Sequence, residues 1–143
     1  MNRQSIFHYF RQLRQRWRWR RLRRAHLRLG RRGERAAARL LENTGGEILC
    51  RNYRSGRDEI DLVARENCIL CFVEVKTRRF KPGIRPAEAV DAEKRRHILR
   101  GARRYLREIG SPELPIRFDI IEVITQGYRI HEIRQMKNAF RRK

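Results

Sequence analysis

Acidic residues are scarce in this chain, and the first 32 positions contain none. Across 143 residues there are 16 Asp and Glu against 37 Lys and Arg, a formal net charge of +21. Such an excess says little about fold but selects polyanionic partners, either nucleic acid or an anionic membrane surface. Long apolar runs are missing too: none approaches the roughly 18–20 residues needed to span a bilayer. Cysteine is sparse and odd in number, with Cys50, Cys68 and Cys71 only. Without a signal peptide, that count predicts a reducing, cytoplasmic compartment. Cys68-x-x-Cys71 has half the spacing of a zinc knuckle but lacks a second Cys or His pair. Positions three apart on a strand also face opposite sides, so both read as small apolar residues. No Ser/His/Asp or Cys/His arrangement is visible: His97 sits among helical arginines and His131 in a late strand.

The positive charge that is present falls in two blocks. Residues 1–32 hold 12 arginines, and the remaining 111 residues hold 25 basic against 16 acidic. Within residues 5–29, Ile6, Phe10, Leu13, Trp17 and Leu29 lie near helical spacing, which predicts a basic amphipathic helix. Its readings are phosphate-backbone binding, adsorption to anionic lipid, an organellar transit peptide, or an appendage from a start upstream of the true one. Gly30 and Gly33 bracket Arg31 and Arg32 and mark the expected boundary. The chain therefore divides into an N-terminal extension (1–32), a domain (33–134) and a basic C-terminal tail (135–143), whose residues 134–143 are expected to form a short helix.

Within the domain, residues 34–43 read as a helix stopped by Gly45-Gly46. Residues 47–53 are a strand candidate, 54–58 a turn, and 59–65 and 68–77 two strands joined tightly at Glu66-Asn67. A basic loop over 80–86 precedes a second helix capped by Asp91 and striped by Ile98, Leu99, Ala102, Tyr105, Leu106 and Ile109. Strands at 116–124 and 128–133 complete the order α-β-β-β-α-β-β, a mixed α/β sheet flanked by helices.

Three polar residues interrupt the central strands: Asp61 in Glu59-Ile-Asp-Leu-Val-Ala64, then Glu74 and Lys76 in Ile69-Leu-Cys-Phe-Val-Glu-Val-Lys76. A carboxylate or ammonium in such a setting is costly unless paired or bound to an ion. Strand alternation puts Glu74 and Lys76 on one face, with Ile69, Cys71, Val73 and Val75 opposite; likewise Ile60, Leu62 and Ala64 are expected opposite Asp61. One face then packs while the other carries chemistry. Mg²⁺ or Mn²⁺ prefers one or two carboxylates and keeps its other positions for water and phosphate. Asp61 and Glu74 can be those carboxylates, the Val75 carbonyl can join them, and Lys76 can orient a water. The alternative for the same residues is an ion pair at the sheet fringe with no metal.

Asp61 followed by Glu74-Val75-Lys76 resembles the PD-(D/E)xK nuclease signature, without the proline that usually precedes the aspartate. More closely, Gly33-Glu34, Arg51-Asn-Tyr53, Glu59-Ile-Asp-Leu-Val63, Phe72-Val-Glu-Val-Lys-Thr-Arg78 and Arg117-Phe-Asp119 resemble the YraN-like family of uncharacterised bacterial proteins, predicted nucleases. Ala87-Glu-Ala-Val90 and Lys94 also fit, and the match covers residues 33 to about 134. The resemblance implies a restriction-endonuclease-like fold, similar to Holliday-junction resolvases, and a metal-reaching acid on the first helix, here Glu34. The alternative for Glu34 is charge matching at a helix N-terminus. Glu59 fits the same motif as an outer-shell acid, and Lys94 and Arg117 are candidate phosphate contacts. Asp58 replaces the family's usual glycine, which predicts an altered turn and a stray carboxylate near the metal.

The leading expectation is thus a Mg²⁺- or Mn²⁺-dependent endonuclease acting on DNA, branched or damaged. Arg78, Arg79 and Lys81 follow the active strand and are placed to position a phosphate backbone. A homodimer is the expected arrangement for cutting two strands. The competing expectations are a non-catalytic nucleic-acid-binding module and a membrane-surface or scaffold role for the N-terminal helix.

Overall fold

The computed structural model describes residues 28–83 and 90–141. The expected helix over 5–29 falls almost wholly outside the described residues, as does most of the Ala87-Glu-Ala-Val90 motif. Helix α1 (Arg28–Asn43) leads into β1 (Glu47–Ser55), β2 (Asp58–Glu66) and β3 (Ile69–Arg79); α2 (Ala92–Glu108) then precedes β4 (Ile116–Gln126) and β5 (Arg129–Phe140). The five strands form one sheet in sequence order. β3 and β4 run parallel while the other neighbours are antiparallel. Helix α2 is the crossover that the parallel pair requires.

Each helix covers a core. Ala37, Ala38 and Leu41 of α1 pack on Leu62, Ala64, Cys71, Val73, Ile121 and Val123. Ile98, Ala102 and Tyr105 of α2 pack on Tyr53, Ile60, Val63, Leu70, Phe72 and Phe118. Both helices end alike, on glycines with φ of +90°. Gly46 N–H donates to the Leu41 carbonyl (2.8 Å) beyond Gly45, and Ser111 N–H to the Leu106 carbonyl (2.8 Å) beyond Gly110. These bonds satisfy carbonyls that the last helical turn leaves open.

Three local expectations are corrected. First, α1 runs through Gly30 and Gly33 instead of starting after them. A Cβ on Gly33 would lie 1.7 Å from Thr77 Oγ1, so this glycine marks a close helix–sheet approach rather than a boundary. Second, residues 134–140 are neither helix nor tail but the continuation of β5. Phe140 pairs with Phe118 and stacks on it at 5.1 Å, extending an aromatic row through Phe72 and Tyr105 to Tyr53. Burial of that ring holds a segment whose composition alone reads as solvated. Third, Ile60 does not share a side with Leu62 and Ala64: it packs beneath α2 while they pack beneath α1. The change of face falls at Asp61, opposite Asn52, whose φ of +52° is left-handed and breaks the pleat. The face of β3 that carries Glu74 also packs, through Leu70 and Phe72.

Candidate functional site

The strand ladder between β2 and β3 stops at Leu62 and Val73, one residue short of Asp61 and Glu74. In its place the Asp61 Oδ2 accepts the Val75 backbone N–H at 2.7 Å. An acid side chain thus takes over a hydrogen bond that a strand would make, and the sheet opens where the two carboxylates lie. The Asp61 and Glu74 carboxyls lie close enough for each to feel the other's charge. Burial raises the Asp61 carboxyl to about 7, with the Glu74 charge adding to the shift. Glu74 is raised for the same principal reason, desolvation, against the opposing charges of Lys94 and Lys76. Burial thus costs both acids more than the cations near them return.

Both helices reach this opening. From α2, the Lys94 Nζ lies 3.1 Å from Glu74 Oε2. Burial opposes the ammonium, but Glu74 and Asp61 more than offset it and raise the Lys94 pKa. Asp91 caps α2 by accepting the Lys94 N–H at 2.8 Å, which fixes where that side chain starts. From α1, Glu34 is half-buried; burial raises its pKa, the charges of Asp61 and Glu59 add to the rise, and the nearby Asn52 side chain opposes it. Glu59 pairs with Arg54 at 2.8 Å on the rim. Asp61, Glu74, Lys76, Glu34 and Lys94 therefore share one electrostatic neighbourhood. Among the described residues, however, no three His, Cys, Asp or Glu side chains form a ready metal-holding group.

Other expected site residues go elsewhere. Arg117 forks onto Asp119 (2.8 Å) and also binds Glu66, so its Nε and Nη2 donors turn to carboxylates inside the fold. Asp119 is fully buried and further accepts from Gln135 (3.0 Å) and the Asn138 N–H (2.9 Å), tying β5 to β4. Asp58 is not a stray acid near the site. It is 2% exposed, with His97 Nδ1 at 2.8 Å, Arg100 at 3.0 Å and Arg104 at 3.6 Å, a clamp between α2 and the β1–β2 hairpin. Gly101 admits this contact, since a Cβ there would crowd Ile60 at 3.2 Å. The pairing of His97 with Asp58 escaped sequence reasoning, because no motif links residues 39 apart. Arg78, Arg79 and Lys81 are exposed at the end of β3, Arg78 lying 3.6 Å from Glu122. Burial pushes the Cys50 and Cys71 thiols up to about 12, so both serve the core as neutral side chains.

The model of the uncharacterised protein family UPF0102 matches residues 33–123. The chain belongs to the UPF0102 family. Its members include a protein of Chlorobium phaeobacteroides (strain BS1), 45% identical over 117 residues, covering 78% of this chain and 93% of the relative. A UPF0102 protein of Symbiobacterium thermophilum is 44% identical over 113 residues, covering 79% and 96%. A third, from Prosthecochloris aestuarii, is 46% identical over 100 residues, covering 70% and 79%. This YraN-like membership and the α-β-β-β-α-β-β order agree with the motif-based expectation. Among the described residues, no helix is long and apolar enough to cross a membrane.

Proposed function

We propose that this UPF0102 protein is a Mg²⁺- or Mn²⁺-dependent endonuclease that hydrolyses DNA phosphodiester bonds at branched or damaged structures. The observation that carries this reading is the opening between β2 and β3, where Asp61 and Glu74 sit desolvated with Lys76 two residues beyond on the same face. A hard divalent cation fits the donor set. Glu74 Oε2 is buried without a well-directed hydrogen bond, having only the Lys94 charge beside it. Asp61, Glu74 and the Val75 carbonyl would hold the ion, with Glu34 facing them from α1. When bound, the ion neutralises phosphoryl charge and acidifies a water.

The remaining work belongs to the chain. Lys76 orients the attacking water and offsets charge on the phosphoryl group. Lys94 keeps Glu74 ionised and in place. Arg78, Arg79 and Lys81 position the backbone without reading bases. Cutting both strands takes two sites, which a homodimer supplies. A second reading has its own support: Lys94 already neutralises Glu74, and no third ligating side chain is in place among the described residues. On that reading the protein binds nucleic acid with a steep salt dependence and does not cut.

A nicking assay separates the two. Branched and linear DNA are incubated with Mg²⁺ or Mn²⁺ and wild type, Asp61→Ala or Lys76→Ala. The nuclease reading expects each variant to lose about 100-fold or more in rate, the scale of removing one electrostatic catalytic group. Equal residual activity in all three proteins removes it.

A further inference from the structure

The exposed large apolar side chains among the described residues are Phe80, Tyr128, Ile130 and Met136. They are not scattered: each lies on β5, on the turn before it, or just past β3. Two of them are aromatic and sit at one end of the sheet. Tyr128 is 92% exposed at the β4–β5 turn, with the Arg32 guanidinium 5.6 Å above its ring. Phe80, 37% exposed, donates its N–H to the Thr125 carbonyl at 2.7 Å, which brings it against the end of β4. Its ring lies 4.2 Å, centroid to centroid, from that of His131.

Cationic residues neighbour these rings along the chain. Arg78, Arg79, Lys81 and Arg129 are exposed at the same end of the sheet. The acids nearest in sequence are already engaged: Glu122 faces Arg78, and Glu132 pairs with Arg134. Bare apolar rings would suit a second copy or a lipid surface, and bare cations a duplex backbone. Rings and exposed cations together suit a polyanion whose flat faces are uncovered, which is a nucleic-acid strand with unpaired bases. Paired bases within a duplex offer a face only where a step is first unstacked, at a cost of a few kcal/mol.

We infer that Tyr128 and the Phe80–His131 pair form a stacking platform for unpaired bases of DNA, with the neighbouring cations on its phosphates. The inference deepens the nuclease reading by naming the substrate, a junction between duplex and single strand. Phe80 lies six residues beyond Glu74 on β3, about 20 Å at the rise of an extended strand. The platform therefore sits within one strand's length of the proposed site.

The test measures binding by the full chain in EDTA, where nothing is cut. Two DNAs with equal numbers of phosphates are compared, one blunt and one with a single-stranded overhang containing 2-aminopurine. At equal phosphate number the general attraction of the basic chain favours the more densely charged duplex, so it cannot produce a preference for the overhang. The platform expects the overhang DNA to bind at least tenfold more tightly and its 2-aminopurine emission to be quenched on binding. Tyr128→Ala/Phe80→Ala abolishes both effects, whereas Tyr128→Phe, which retains the ring, keeps them. Equal affinity for the two DNAs, or a double variant as selective as wild type, overturns the inference. So does a sedimentation shift from dimer to monomer in the double variant with overhang binding intact, which reassigns the rings to a second copy. Because the readout is binding, the nuclease reading fails separately, on the nicking assay.

Discussion

Replacing Asp61 by Asn should make the protein more stable at pH 8 while removing its proposed activity. Asn has the same shape and can still accept the Val75 N–H that Asp61 takes at 2.7 Å. What it removes is a carboxylate whose pKa is raised from 3.8 to about 7 in the folded protein, by burial first and by Glu74 second. The folded state therefore binds a proton more tightly than the unfolded chain between those values. Wild-type stability must fall as pH rises from about 4 through about 7, and the full cost is present above 7. Three pKa units correspond to a ceiling of about 4 kcal/mol. Asp61 is only partly removed from solvent and its titration is tied to that of Glu74, so we expect about 1–2 kcal/mol of the ceiling. For a domain of this size that is a rise of roughly 5–10 °C in Tm at pH 8, shrinking toward zero at pH 4. Thermal unfolding of both proteins at pH 4, 6 and 8 measures it directly. Added Mg²⁺ should raise the wild-type Tm at pH 8 and leave Asp61→Asn nearly unmoved, because only a ligand that binds the folded state stabilises it. A variant less stable than wild type at pH 8, or a Tm difference that does not change with pH, would refute the electrostatic account of the site.

Three further perturbations address the frame around it. Gly33→Ala should cost about 2–4 kcal/mol in chemical denaturation, because its Cβ meets Thr77 Oγ1 at 1.7 Å; Thr77→Ala should recover part of the loss. Phe140→Ala should cost about 2–4 kcal/mol by emptying the end of the aromatic row, and a change below 0.5 kcal/mol would mean that β5 ends earlier. Asp58→Asn should cost about 1–3 kcal/mol at pH 7 by loosening α2 from the β1–β2 hairpin. Burial alone would raise the Asp58 pKa, but hydrogen bonds from Arg100 and His97 outweigh it and lower the value. A lowered carboxylate stabilises above its unfolded pKa and loses that stability as pH falls through the folded one. The gap in Tm between Asp58→Asn and wild type should accordingly close in acid.

Period-two alternation and the turn signals at 54–58 and Glu66-Asn67 made the succession of strands along the chain legible, since each is a local property of the backbone. So were the Asp91 cap and the stripe of α2. The spacing Asp61…Glu74-x-Lys76 was likewise readable, because unpartnered charge in an apolar strand is visible in one dimension. The extent of β5 was not: residues 134–140 read as a basic helix, and the Phe118 ring opposite Phe140, with the Asp119 bonds to Gln135 and Asn138, explains why they pair. Arg117 looked free for phosphate because Glu66, 51 residues away, is invisible until the strands align.

What the sequence determined by itself was the family, the order of elements and the identity of the acids and lysine at the centre. Those follow from side-chain chemistry and short-range periodicity. Only the tertiary structure decided which charges meet. It ended the β2–β3 ladder at Leu62 and Val73, so that Asp61 and Glu74 share a desolvated opening, and it brought Lys94 to Glu74 across α2. It also turned Asp58 and Arg117 inward, away from the roles their motifs suggested. The physical reason is that electrostatic energy depends on distance and burial through space, which a linear spacing constrains only within one strand or one helical turn.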